Sequence, residues 1–196
     1  VAFYDSLSPS KLKSLANERL SDLIDKEAVR ARTSLEDLQQ RYPSAGPREL
    51  SQRYIDSRKQ AASVLGGVTG VFGAVTVPVD LVGMVYLQLA LLVEIGTVFK
   101  ADFKNERGKK EVLDLFGYAN GIGPIQRASP KVLGSLAAMV LTKTGLKALG
   151  RAMPLVAAPI SAYLNNQHVQ RVGDSAIRHY DGWVHAHEKS KKASGS

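Results

Sequence analysis

Two apolar runs meet at a proline. Residues 61–77 (AASVLGGVTGVFGAVTV) carry no charge, and after Pro78-Val79-Asp80 a second run, LVGMVYLQLALLV, extends from 81 to 93 and stops at Glu94. Read as helices, they form a hairpin broken at the proline. Such a hairpin is either the buried centre of a helical domain or a pair of segments that meets lipid.

The rest of the pattern is helical too. Ser8-Pro9-Ser10 is a start signal, and Leu12, Leu15, Leu20, Leu23 and Ile24 recur at helical spacing, which predicts a helix over 9–41. Within it, Ser34-Leu35-Glu36-Asp37 resembles a capping box in which Asp37 would reach back. Tyr42 to Pro47 reads as a loop, and a helix from about Arg48 runs into the first apolar stretch. The second arm is expected from near Asp80 to near Phe99, with Asp80 as its cap. Lys100 to Gly108 holds a turn. A helix over 109–119 closes at Asn120-Gly121-Ile122-Gly123-Pro124, and one over 129–149 ends at Gly150. Pro154 and Pro159 interrupt the segment after Gly150, and the last helix spans roughly 160–187. No alternating strand or internal repeat appears. The fold class is therefore all-α: a single-domain helical bundle around a buried, glycine-rich hairpin. Its parts are N-terminal helices over 1–47, a core over 48–187 and a flexible basic tail over 188–196.

The hairpin carries its own chemistry. Ala62, Gly66, Gly70 and Ala74 fall every fourth residue and share one helix face, where small side chains let a second helix approach closely. Glycine lowers helix stability by about 0.8–1 kcal/mol relative to alanine, so this stripe needs a packing partner or a ligand. It is no phosphate loop, because neither glycine-rich nucleotide pattern is present. Asp80 and Glu94 lie on one face of the second arm, about 21 Å apart along its axis, too far to act on one bond. Buried Gln88 and Glu94 each require a partner, which Asn165, Asn166, Arg171 or Arg178 could supply; the other reading is a polar-lined cavity. The arms hold 17 and 13 apolar residues against the about 20 that a spanning helix needs, and both acids oppose burial in hydrocarbon. A buried hairpin in a peripheral domain is the expectation, with insertion under a trigger left open.

Charge narrows the partners. The net charge is +8 and the pI about 9.7, which favours anionic partners. From Leu115 to Gly173 there is no acid, while Arg127, Lys131, Lys143, Lys147, Arg151 and Arg171 contribute +6. Lys143, Lys147 and Arg151 share a helix face beside Leu133, Leu136, Val140 and Leu141, and such a face suits an anionic bilayer or a solvated bundle surface. Nucleic acid is disfavoured, since the basic residues are not interleaved with aromatics. There is no cysteine, hence no disulfide framework. Asp181 and His185 could share a metal, but no third ligand accompanies them, and no nucleophile elbow or zinc-protease motif occurs. No catalytic residue, metal or cofactor is assigned. The chain opens on Val1 and closes on Ser-Gly-Ser, which leaves room for an upstream signal or anchor.

The glycine run Gly66 to Gly73, the Pro78-Val79-Asp80 turn and the apolar helix through Glu94 resemble the EcsC family. So do Asn165-Asn166, Val172-Gly173-Asp174-Ser175-Ala176 and Tyr180, so that the likeness covers roughly 55–185. The family is bacterial, largely uncharacterised, and named for a gene beside an ABC transporter that affects secretion. One departure is Phe99-Lys100, where the family has an aromatic followed by glycine. The resemblance implies membrane association, not a reaction.

The resulting expectation is a non-enzymatic, cytoplasmic protein peripheral to the inner membrane. It would bind anionic lipid through Lys131, Lys143, Lys147 and Arg151, with Gly66, Gly70, Asp80, Gln88 and Glu94 lining the hairpin or an acyl cavity. It could serve a transporter or secretion system. The alternatives are a protein-interaction module and a pore-forming protein that releases the 61–99 hairpin.

Overall fold

A computed structural model describes residues 9–72, 77–121, 123–124 and 162–194, with side-chain environments for 14, 18, 20–62, 85–121, 123–124 and 166–183. Among these residues the fold is all-helical: α1 (Pro9–Arg41), α2 (Pro47–Phe72), α3 (Val77–Val98), α4 (Glu106–Ala119) and α5 (Ala162–Ser194).

Proline and asparagine set several of the ends. α1 and α2 each begin on a proline, whose missing N–H matters least in a first turn. α3 begins three residues before Asp80, with Pro78 as its second residue. Asp80 is therefore not the cap; it lies within the first turn. Asn105 caps α4 by accepting from the Gly108 N–H at 2.8 Å, so this helix starts at Glu106, earlier than periodicity alone predicts. Asn120 closes it, and Gly121 follows with φ 71°.

The end of α3 is a Schellman turn. The Ala101 N–H reaches back to Gly96 O at 2.8 Å and the Lys100 N–H to Thr97 O at 3.0 Å. That geometry puts Lys100 at φ 62°, where glycine is the least strained residue.

Two further expectations give way. The capping-box signal at Ser34 starts no helix, because α1 runs through it unbroken and Ser34 Oγ accepts from the Tyr54 hydroxyl at 3.2 Å. The last helix continues to Ser194, through the first part of the expected tail. The expected helix over 129–149 lies outside the described residues.

α3 is the axis of the packing. Every residue from Leu87 to Gly96 is buried, so the helix presents no face to solvent over this stretch. Glu27 on α1 meets Tyr86, Arg58 on α2 meets Glu94, Asn120 at the end of α4 meets Gln88, and Tyr180 on α5 lies over Gly96. Outside α3, α2 and α5 pack directly. Gly173 leaves room for the Ile55 side chain, Lys59 donates to Gln170 at 3.2 Å, and Arg48 pairs with Asp181 at 2.5 Å. α4 joins α5 through Glu111 and His179.

Candidate functional site: polar clusters on the apolar hairpin

The hairpin is apolar in sequence, yet its described half is fastened by polar groups. Arg58 on α2 grips Glu94 on α3 with both ends of its fork, Nε to Oε2 at 2.9 Å and Nη2 to Oε1 at 2.5 Å. The Glu94 side chain is 10% exposed and that of Arg58 20%. Burial pushes the Glu94 carboxyl above the usual carboxylate range, against the hydrogen bond and charge of Arg58, which pull it down. Burial likewise works against the Arg58 guanidinium, but Glu94 outweighs it and the guanidinium ends above its ordinary value.

A second cluster lies two turns along α3. Tyr86 donates to Glu27 Oε1 at 2.8 Å, and Arg30 donates to the same oxygen at 2.6 Å and to the Tyr86 hydroxyl at 3.0 Å. Glu27 is buried at 4% exposure on the apolar stripe of α1, between Ile24 and Ala31. Burial and the Glu27 carboxyl both raise the Tyr86 phenol, so it stays a donor. The charge of Glu27 is also felt at Arg58, which couples the two clusters across α1, α2 and α3.

The third cluster joins α3, α4 and α5. Asn120 Nδ2 donates to Gln88 Oε1 and to Phe116 O, each at 2.8 Å, and Asn120 Oδ1 faces His168 Nε2 at 3.1 Å. Burial, helped by the nearby Arg171 charge, lowers the His168 pKa, so the ring is neutral at physiological pH.

The sequence points to Gln88 and Glu94 as groups that need partners when buried, and both are buried. Of the partners it offers, Arg171 and Arg178 are exposed and the side chain of Asn165 is not described; Gln88 accepts from Asn120 and Glu94 pairs with Arg58. Glu27, Tyr86 and Arg58 are absent from the expected site altogether. Their signal is spacing: Glu27 continues Leu20 and Ile24, and Arg58 stands between Ile55 and Ala62, both on buried stripes. Gly66, Gly70 and Asp80 lie on the helical backbone of α2 and α3, outside the described side-chain environments, as do His185 and His187 on α5. Lys131, Lys143, Lys147 and Arg151 lie outside the described residues.

These clusters join helices to one another. Among the described residues no group of three ligands could hold a metal ion. Asp181, half of the pair considered for a metal, accepts from Arg48. No helix among them is long and apolar enough to cross a membrane. Beyond the Arg58–Glu94 clasp both arms continue, about 21 Å along α2 to Phe72 and about 26 Å along α3 back to Val77, at 1.5 Å per residue. Comparison with family models, curated proteins and solved structures finds no match to this chain.

Proposed function

We propose that this is a non-enzymatic, peripheral membrane-associated protein that binds anionic lipid at the cytoplasmic face of the inner membrane. The observation that carries the reading is the placement of acids. The chain has 18, but none between Leu115 and Gly173 and only Asp80 between Ser57 and Val93. One stretch is basic and the other apolar. Both ends of the basic stretch are tied to the hairpin, through Asn120 on Gln88 and Gly173 against Ile55. A body that joins an acid-free basic segment to an apolar hairpin suits a bilayer with negative head groups, where each Lys or Arg contributes about 1 kcal/mol. The membrane association implied by the resemblance to the EcsC family agrees with it.

Flotation with liposomes tests the reading. Binding to vesicles with anionic lipid, absent with neutral lipid and weakened by salt, is the expected result. Lys143→Glu with Lys147→Glu should reduce it. Absence of flotation in every condition removes lipid from the account and turns the search to protein partners.

A further inference from the structure

Paired contacts fix the relative direction of four helices. From Arg48–Asp181 through Ile55–Gly173 to Lys59–Gln170, the numbers rise along α2 as they fall along α5, so the two are antiparallel. Glu111–His179 and Asn120–His168 give the same sense for α4 against α5. Gln88 meets Asn120, which faces His168, and Gly96 lies under Tyr180, so α3 runs parallel to α5. The end of α2 at Phe72, the start of α3 at Val77, the end of α4 at Ala119 and the start of α5 at Ala162 therefore share one end of the bundle.

That end collects features that complement a bilayer with anionic head groups. The hairpin turns there, and between Lys59 and Glu94 its one charged residue is Asp80. Tyr118, in the last turn of α4, is 61% exposed. The acid-free stretch leaves this end after α4 and returns to it at α5, with Arg127, Lys131, Lys143, Lys147 and Arg151 in between. The opposite end differs. Glu49, Asp102 and Glu106 are exposed there among basic residues, and α5 continues past it toward Lys189, Lys191 and Lys192. Trp183, 42% exposed, stands between that end and those lysines, about 22 Å along α5 from His168.

We propose that the hairpin end of the bundle is the surface set against the bilayer, with Tyr118 as its interfacial anchor. The inference rests on the membrane-associated reading above and adds an orientation to it. Tyrosine suits the head-group layer, where the ring meets apolar matter and the hydroxyl stays hydrated. Asp80 opposes entry into hydrocarbon, so the end lies tilted on the head groups and does not cross. Lysines extend α5 past the other end as well, but the uncharged run over 61–79 belongs to the hairpin end.

Trp183 is the one tryptophan of the chain, so its fluorescence reports the far end without any substitution. Tyr118→Trp with Trp183→Phe moves the reporter to the hairpin end, at an exposed position. Both proteins are mixed with vesicles of anionic lipid, with and without brominated acyl chains. The moved tryptophan should shift to the blue and be quenched by bromine; Trp183 should do neither. Quenching of Trp183 alone shows that the lysine-bearing end of α5 meets the lipid, and overturns the orientation. So does an equal response from both reporters, or from neither while the protein still floats. Absence of flotation instead overturns the membrane reading itself. Charge supplies a second readout. Tyr118→Glu should weaken vesicle binding roughly fivefold, the factor for about 1 kcal/mol at an anionic surface. Lys104→Glu changes the charge by twice as much at the far end and should weaken binding less; the reverse order overturns the proposal.

Discussion

Arg58 and Glu94, 36 residues apart in the chain, lie side by side and join the two arms of the hairpin through a two-point ion pair. On α3 the pair sits in an apolar run, Leu89–Ile95, whereas on α2 Asp56, Ser57, Lys59 and Gln60 flank Arg58. Desolvation of the two groups opposes their attraction, and the upward shift at Glu94 shows that burial wins for the carboxyl.

Removing the cation alone should therefore hurt most. Arg58→Met leaves the Glu94 carboxylate buried without its partner, and a loss of about 3 kcal/mol at neutral pH is expected from urea unfolding. Arg58→Met with Glu94→Leu removes both charges and should recover the wild-type midpoint or exceed it.

Acid should favour the fold through Glu94. The folded chain holds this proton more tightly than the unfolded chain, whose glutamate titrates near 4.5. The contribution of Glu94 to stability therefore rises as pH falls from its raised value toward 4.5, and is smallest above that window. In Glu94→Gln the rise is absent, so the stability difference shifts toward wild type on acidification. Release of the hairpin by acid finds no support in this group.

His168 works in the opposite sense. Its folded pKa lies below the ordinary 6.5, so protons bind the unfolded chain first and stability falls as pH drops from about 6.5 through the lowered value. An NMR titration should place the His168 midpoint below that of an exposed histidine, and His168→Gln should flatten the dependence in that range.

Lys100 marks a position where glycine fits better. Lys100→Gly relieves the left-handed backbone at φ 62° and should raise stability by about 0.5–1 kcal/mol in thermal or urea unfolding.

The contact between α2 and α5 depends on a missing side chain. A Cβ on Gly173 would run into Ile55, so Gly173→Ala should cost about 1–3 kcal/mol. Ile55→Ala removes both atoms in the way, Cγ1 and Cδ1. The double variant should be more stable than the sum of the single losses, which a double-mutant cycle reads directly.

Much of this architecture is legible in the sequence. The span of α1 follows from Pro9 and a leucine pattern that ends at a Tyr-Pro loop, and the close of α4 follows from Asn120-Gly121. Polar groups on apolar stripes single out Gln88 and Glu94. Their partners are not legible, because spacing along one helix says which face a residue shares but not which helix arrives opposite. Asn120 illustrates the gap. Its role as a helix stop is local, whereas its bonds to Gln88 and His168 exist only once three helices have met. Gly173 does carry a local signal: a glycine inside a long helix weakens it unless something needs the space.

The amide of Asn120 has a further consequence. Both of its hydrogens go to acceptors, Gln88 Oε1 and Phe116 O, so its oxygen must be the atom that faces His168. The ring nitrogen opposite can then only donate, which fixes the tautomer with hydrogen on Nε2 and leaves Nδ1 as the sole place for a second proton. Acid can therefore charge this junction without undoing the bond that makes it: the three helices meet in the same way on either side of the titration, and what changes is the potential at their meeting point.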